Sequence, residues 1–292
     1  MNVLVAGGDG FIGRHLCAEL ADRDHDVAAL ARDPDPSVLP DGVETVAADV
    51  TDPSSVEPAA EGRDAIVNLV ALSPLRTPRG GSAAHERVHV GGTETLLAAA
   101  AAANVPRFVQ MSALGADPDG PTAYLRAKGR AETAVRESDR DWVIVRPSVV
   151  FGAGDEFLAF TKRITPPGLA PLPGGGRTQF QPIWVEDLAA ILADCVLDED
   201  RAGEIYEIGG PERLSLAALA RLLRRTRVVP VPMALAKIGL SIAEAVPGAP
   251  MGLDQYRSLQ SDNVTRDNDI GAFGLEPDDL TSVGAYLDRP NA

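Results

Sequence analysis

The chain has 292 residues, 45% of them hydrophobic, and carries 42 Asp and Glu against 27 Lys and Arg, a formal charge of −15 at pH 7. That length and apolar content call for one large α/β domain, or a nucleotide domain with a smaller lobe. The acidic balance excludes nucleic acid and anionic lipid as general partners, because both repel it.

In chain order, residues 3–6 form a short apolar run suited to a strand buried on both faces. Gly7, Gly8, Gly10 and Gly13 follow, and then an apolar-periodic helix through Leu16 and Leu20. Both G-x-x-G-x-x-G from Gly7 and G-x-G-x-x-G from Gly8 fit. Either template demands a sharp turn, close approach of backbone to a pyrophosphate, and a helix packed tightly on its strand. The free N–H groups and positive dipole end of that helix then face the phosphates. In this strand-to-helix context the glycines predict dinucleotide binding.

Residues 26–31 read as the second strand, ending at Arg32-Asp33, where the adenosine ribose belongs. The fork of Arg32 suits a 2′-phosphate and favours NADP(H), while Asp33 keeps NAD(H) open. Residues 43–48 are the third strand, closed by Asp49-Val50-Thr51-Asp52; Asp49 can accept from the adenine amine, and Asp52 with Ser54 can cap the next helix. Residues 64–71 are the fourth strand, 73–82 a loop, 83–103 a long helix and 107–111 the fifth strand. This alternation gives a Rossmann-type, doubly wound parallel sheet.

Beyond the fifth strand stand Ser112 and a helix holding Tyr124 and Lys128 at i and i+4, on one helix face. A phenol with a pKa near 10 needs a neighbouring ammonium to ionise at neutral pH. Ser112 can hydrogen-bond a substrate carbonyl whose oxygen exchanges a proton with Tyr124. Residues 142–146 are the sixth strand. Past Gly152 the pattern loosens: residues 166–176 read as a flexible, proline-broken connection, 186–196 as a helix, 204–209 as a strand, and 215–225 as a helix capped by Ser215. The chain therefore divides into a Rossmann core (1–152) and a mixed C-terminal part (153–292) that returns some strands to the core sheet and adds a small lobe over 228–250. The cations at Arg221, Arg224, Arg225 and Arg227 could bind a diphosphate, although Arg late in a helix also compensates its dipole.

The segments VLVAGGDGFIGRHL, RFVQMSALGA, Tyr124-x-x-x-Lys128 and RPSVVFG together resemble the extended and atypical branch of the short-chain dehydrogenase/reductase superfamily. QPIWVEDLA, YEIGGPERLSL and MGLDQYRSLQSDNV are similar to the subgroup related to the nucleotide-binding accessory subunit of respiratory complex I. The resemblance implies that Gly7, Gly10 and Gly13 line the pyrophosphate, with Phe11 and Ile12 at the helix start. It puts Arg32 at the adenosine, Asp49 and Val50 at the adenine, and Val70 and Ala71 at the nicotinamide ribose, which Lys128 bonds. Pro147 flanks the nicotinamide, and Ser112 and Tyr124 hold the catalytic positions. One position departs: where members carry Asn in a V-N-V-x-G-T pattern this chain has His89, which puts the family's proton relay in doubt.

Three functions follow as expectations. One is an NAD(P)-dependent reductase acting through Ser112, Tyr124 and Lys128 on a small molecule. Another is a non-catalytic subunit holding NADPH on a respiratory or membrane-complex partner. The last is a sugar-nucleotide epimerase or dehydratase. No metal site is expected, since His85 and His89 at i, i+4 lack a matched acid or Cys set and read as a solvated helix face. Cys17 and Cys195 make no disulfide framework, and the longest apolar run is far short of a membrane span. With no signal peptide ahead of the first strand, a cytoplasmic place is expected, peripheral to a membrane complex if the subunit reading holds. Lys occurs only at Lys128, Lys162 and Lys237, a bias that both a halophilic, high-salt cytoplasm and a GC-rich genome produce.

Overall fold

The computed structural model describes residues 1–76, 78–234, 257–258 and 260–289. Its frame is a sheet of seven parallel strands: β1 (Asn2–Ala6), β2 (Asp26–Ala31), β3 (Glu44–Ala47), β4 (Ala65–Asn68), β5 (Arg107–Met111), β6 (Asp141–Pro147) and β11 (Glu204–Ile208). They lie in the order β11-β6-β5-β4-β1-β2-β3. The order reverses between β1 and β4, the crevice where open α/β sheets take ligands. Period-two alternation sends Val3 and Val5 into one apolar layer with Leu16, Leu20 and Leu192, and Leu4 and Ala6 into the other with Leu96 and Phe108. Both faces are thus covered, as an all-parallel sheet requires.

Helix α1 (Phe11–Asp22) follows β1, and α2 (Pro53–Ala60) begins at Asp52, whose carboxylate accepts from the Ser54 N–H at 3.1 Å. The helix expected over 83–103 is broken. A short α3 (Ser82–His85) runs into one wide π-turn (Glu86–Gly91) before α4 (Gly92–Ala102). Apolar periodicity carries no mark of this turn, because a π-turn shifts the register by one residue without a Pro or a cap. Helix α5 (Ala123–Arg136) then carries Tyr124 and Lys128, capped by the Thr122 hydroxyl.

After β6 the chain makes β7 (Val150–Phe151), α6 (Glu156–Ile164), β8 (Gly168–Pro173), β9 (Gln179–Phe180), β10 (Ile183–Trp184) and α7 (Val185–Leu197). Strand β11 enters the main sheet, and β12 (Leu214–Ser215), α8 (Leu216–Leu223) and β13 (Thr226–Val231) complete the lobe. Residues 168–173, expected to be a flexible connection, instead pair in parallel with β13 from Gly168↔Thr226 to Pro173↔Val231. Pro171 and Pro173 fit because the pair stands as its own two-stranded sheet, whose outer edges need no donors.

Residues on both sides of position 152 build the one sheet. Helix α7 packs on α1, where Arg23 bridges Glu19 and Asp194, and Arg107 on β5 donates to the carbonyls of Cys195 and Asp198. The segment after residue 260 is tied in by side chains: Asn268 exchanges two hydrogen bonds with the Gly209 backbone, and Asp269 accepts from the Glu207 N–H at 2.6 Å. Most of the expected lobe over 228–250 lies outside the described residues. Among the described residues no helix is long and apolar enough to cross a membrane.

Candidate functional site

A cleft of about 730 Å³ opens at the sheet's crevice, of a size that suits a cofactor with a small second molecule. Gly7 adopts φ +82°, a left-handed turn that favours glycine. A Cβ on Gly13 would stand 2.7 Å from both the Cα and the oxygen of Gly8 and closer still to the Gly7 oxygen, so helix and turn touch backbone to backbone. Gly8 serves packing instead, its Cα facing Ala29 on β2. Gly10 caps α1 without a side chain, and the helix's first turn holds no acid. Its N–H groups and dipole are therefore left for an anion.

Gly7, Gly10, Phe11, Ile12 and Gly13 line this cleft with Arg32, Asp49, Val50, Val70, Ala71, Ser112, Tyr124 and Pro147. The structure thus brings to one cavity thirteen of the fourteen residues that the family resemblance implies; Asp33 and the cations from Arg221 to Arg227 are not among its lining. Lys128 sits just behind its wall, 1% exposed, donating to the Met111 carbonyl at 2.9 Å with its ammonium 6.0 Å from the Tyr124 ring centroid.

At the adenosine end, Asp49 accepts from the Thr51 N–H and hydroxyl at 2.9 and 2.8 Å, and these bonds, with the charges of Arg32 and Arg87, hold its carboxyl below the usual range. Arg87 comes from the π-turn and also lines the cleft. Nothing in the sequence marked it, since its approach to Asp49 depends on that turn.

At the other end a buried polar network sets the wall. Asn68, at the end of β4, donates to Thr93 and Gln110, both at 3.0 Å, and accepts from the Val70 N–H at 3.1 Å. Gln110 donates to the Met111 carbonyl, the same oxygen that takes Lys128. Sequence reasoning missed Asn68 and Gln110, although a lone amide in each of two apolar strands was a visible signal: buried amides persist where their bonds are made.

The two histidines overturn the solvated-face reading. His85 and His89 are 5% and 2% exposed, stacked at 5.5 Å, and both meet the Tyr124 ring edge-on at 5.9 and 5.4 Å. His85 closes α3 and His89 lies in the π-turn that follows. His89 Nε2 accepts from the Leu72 N–H at 3.3 Å, so it holds the strand-exit loop beside Ala71. Burial, helped by Lys128 and His85, pushes its pKa down to about 2, so it stays neutral. Burial likewise takes Lys128 down to about 8, against the pull of Glu132. The Tyr124 phenol goes the other way, up to about 12, because burial outweighs any help from the ammonium. Ser112 is 1% exposed, and its hydroxyl has no partner among the described residues.

Asn263, which stands in the MGLDQYRSLQSDNV segment but was given no site role there, also lines the cleft; its side-chain oxygen accepts from the Ser148 hydroxyl at 2.8 Å and the Val149 N–H at 3.0 Å. Residues 251–256 and 259 of the MGLDQYRSLQSDNV segment lie outside the described residues.

Residues 7–199 match the model of the NAD(P)H-binding family. The chain is 29% identical over 290 residues to the mitochondrial NADH dehydrogenase [ubiquinone] 1 alpha subcomplex subunit 9 of Arabidopsis thaliana, covering 90% of this chain and 71% of that one. It is 27% identical to the NAD(P)H azoreductase of Xenophilus azovorans, covering 85% and 84%. Among solved structures, the UDP-glucose 4-epimerase of Thermus thermophilus in complex with NAD superposes with a TM-score of 0.68 at 23% identity, over 80% of this chain and 86% of that one. At that identity the likeness speaks for the fold.

Proposed function

Because the chain belongs to the NAD(P)H-binding family, we propose that it is an NADPH-dependent reductase of a small carbonyl compound. The observation that carries the reading is Ser112, a buried hydroxyl with an unused hydrogen in the wall of the cleft that the glycine turn opens. Such an unpaired group costs about 1–3 kcal/mol, and a substrate carbonyl supplies the missing acceptor. The cradle around Gly13 and the uncapped α1 fit a dinucleotide pyrophosphate. NADPH, when bound, supplies the hydride.

The chain's residues do the rest. Ser112 donates to the carbonyl oxygen and orients it. Tyr124, protonated at neutral pH because its pKa stands near 12, gives its proton to that oxygen as the carbon is reduced, since the product alkoxide is a stronger base than phenolate. Lys128 keeps a positive charge beside the phenolate left behind, and two of its three N–H bonds stay available to the nicotinamide ribose. At the adenosine end, the paired charges of Arg32 and Arg87 support NADP(H) over NAD(H), since a 2′-phosphate takes charge-assisted bonds from guanidinium.

Fluorescence titration with NADPH and NADH tests the cofactor, and turnover of a ketone and β-keto ester panel by wild type and Tyr124→Phe tests the chemistry. NADPH should bind at least about tenfold tighter. The variant should lose about 10²-fold or more of kcat while holding NADPH as before. Turnover unchanged in Tyr124→Phe overturns the reductase reading, and tighter NADH overturns the cofactor assignment. A second reading, NADPH held unconsumed by a subunit peripheral to a respiratory membrane complex, is supported by the Arabidopsis relative; a stoichiometric NADPH that copurifies and never exchanges would favour it. The epimerase or dehydratase reading has only the fold likeness behind it.

A further inference from the structure

The net charge of −15 conceals a segregation. Residues 157–185 and 213–234 contain no Asp or Glu at all, and they build the lobe of α6, β8, α8 and β13. Helix α6 leads into β8 and α8 into β13, and the two strands run parallel from Gly168 and Thr226. Both helix ends and both strand starts therefore meet at one end of the lobe. The Gly168 N–H donates to the Arg225 carbonyl at 3.2 Å there, and the Thr226 hydroxyl to the Pro166 carbonyl at 2.9 Å.

Lys162, Arg163, Arg221, Arg224, Arg225 and Arg227 collect at that end, and no ion pair among the described residues takes any of them. Helix-dipole compensation accounts for Lys162, Arg163 and Arg221, which lie in last turns. Arg224 caps the C-terminus of α8, where the dipole also reaches it; Arg225 and Arg227 stand past the end of the helix.

Apolar side chains stand out among these cations. The β8–β13 register sets Leu169 beside Arg227 and Pro171 beside Val229 on the outer face, while Ala170, Leu172 and Val228 turn inward to α8. Leu169 is 60% exposed, Leu222 46% and Val229 40%, three of the five exposed large hydrophobics among the described residues. All three are aliphatic, which argues against single-stranded nucleic acid, whose bases stack on aromatics.

We propose that the outer face of β8 and β13 docks on an anionic bilayer surface, with Leu169 and Val229 entering the headgroup region and Arg227 and the neighbouring cations of this end pairing with lipid phosphates. The overall charge does not forbid it, because beyond about 8–10 Å the chain's carboxylates are screened and the local cluster decides. The proposal departs from the expectation drawn from net charge, which treats the charge as spread evenly. The surface lies apart from the cleft, so the proposal stands whether or not the reductase reading does.

Flotation of the full chain with phosphatidylcholine vesicles, with and without phosphatidylglycerol, at physiological ionic strength tests it. The protein should float only with phosphatidylglycerol. Each basic side chain near such a surface contributes about fivefold, the equivalent of about 1 kcal/mol, so Arg225→Gln/Arg227→Gln should lower partitioning by about 25-fold with NADPH titration unchanged. Leu169→Asn/Val229→Asn, which keeps every charge, should also weaken it. Absence of flotation, flotation indifferent to phosphatidylglycerol, full flotation of both double variants, or tighter binding to DNA than to vesicles would each overturn the assignment.

Discussion

Gly13→Ala isolates the contact on which the cofactor cradle depends. The added methyl would lie 2.7 Å from two backbone atoms of Gly8, where ordinary contact begins near 3.4 Å, and backbone cannot swing aside as a side chain would. The strain is relieved only if α1 lifts from the turn by most of an ångström, which disturbs Leu16 and Leu20 in the core. Overpacking of this kind costs about 3 kcal/mol, or about 6–12 °C in Tm for a domain approaching this size. Gly10→Ala is the internal control: at φ −70° its methyl meets only the Gly7 oxygen, at 3.1 Å, and a small adjustment accommodates it. The assay is thermal melting of the cofactor-free protein, which keeps ligand contacts out of the comparison. A Gly13→Ala variant melting within a degree of wild type, or a Gly10→Ala variant equally destabilised, refutes the reasoning.

Two further outcomes follow from buried charge. The folded pKa of Lys128, about 8, lies below the usual Lys value of 10.5; between those values the unfolded chain holds more protons, so this group's contribution to stability rises with pH across that window and its penalty is complete below pH 8. Lys128→Met should therefore melt above wild type at pH 7, with the gap closing by pH 10, and an unchanging gap would count against it. Glu132, 1% exposed, is gripped by Arg146 through bonds of 2.8 and 2.6 Å; Arg146→Leu strands that carboxylate and should cost about 3–5 kcal/mol in denaturant unfolding, with a loss under 1 kcal/mol contradicting the pairing.

The frame was legible because parallel strands buried on both faces leave continuous apolar runs. The expected bounds of β2 and β5 are those observed, and the glycine spacing led to the turn and to a single cleft. Ser112 and Tyr124 line it, with Lys128 behind its wall, because each closes or follows a recognisable element. What stayed hidden depends on events without a local signature. The π-turn that holds His89 and delivers Arg87, just past the buried His85, leaves the apolar pattern unbroken. The β8–β13 pair is set by a partner far along the chain and written in prolines, which argue against strand when read locally. Asn263 reaches the cleft through a single parallel bridge to Phe180 and through its side-chain bonds, not through a strand or helix of its own that local pattern would reveal.

That last feature bears on how the protein comes into being. Asn263 fixes Ser148 and Val149 in the cleft wall, and 115 positions separate it from Ser148. At the pace of synthesis, about 5–20 residues per second, the glycine turn and the six strands through β6 emerge on the order of ten seconds before the residue that braces the floor. The nascent chain passes through that interval before the residue that holds Ser148 and Val149 has been made, so this side of the cleft is completed by one of the later stretches of the chain.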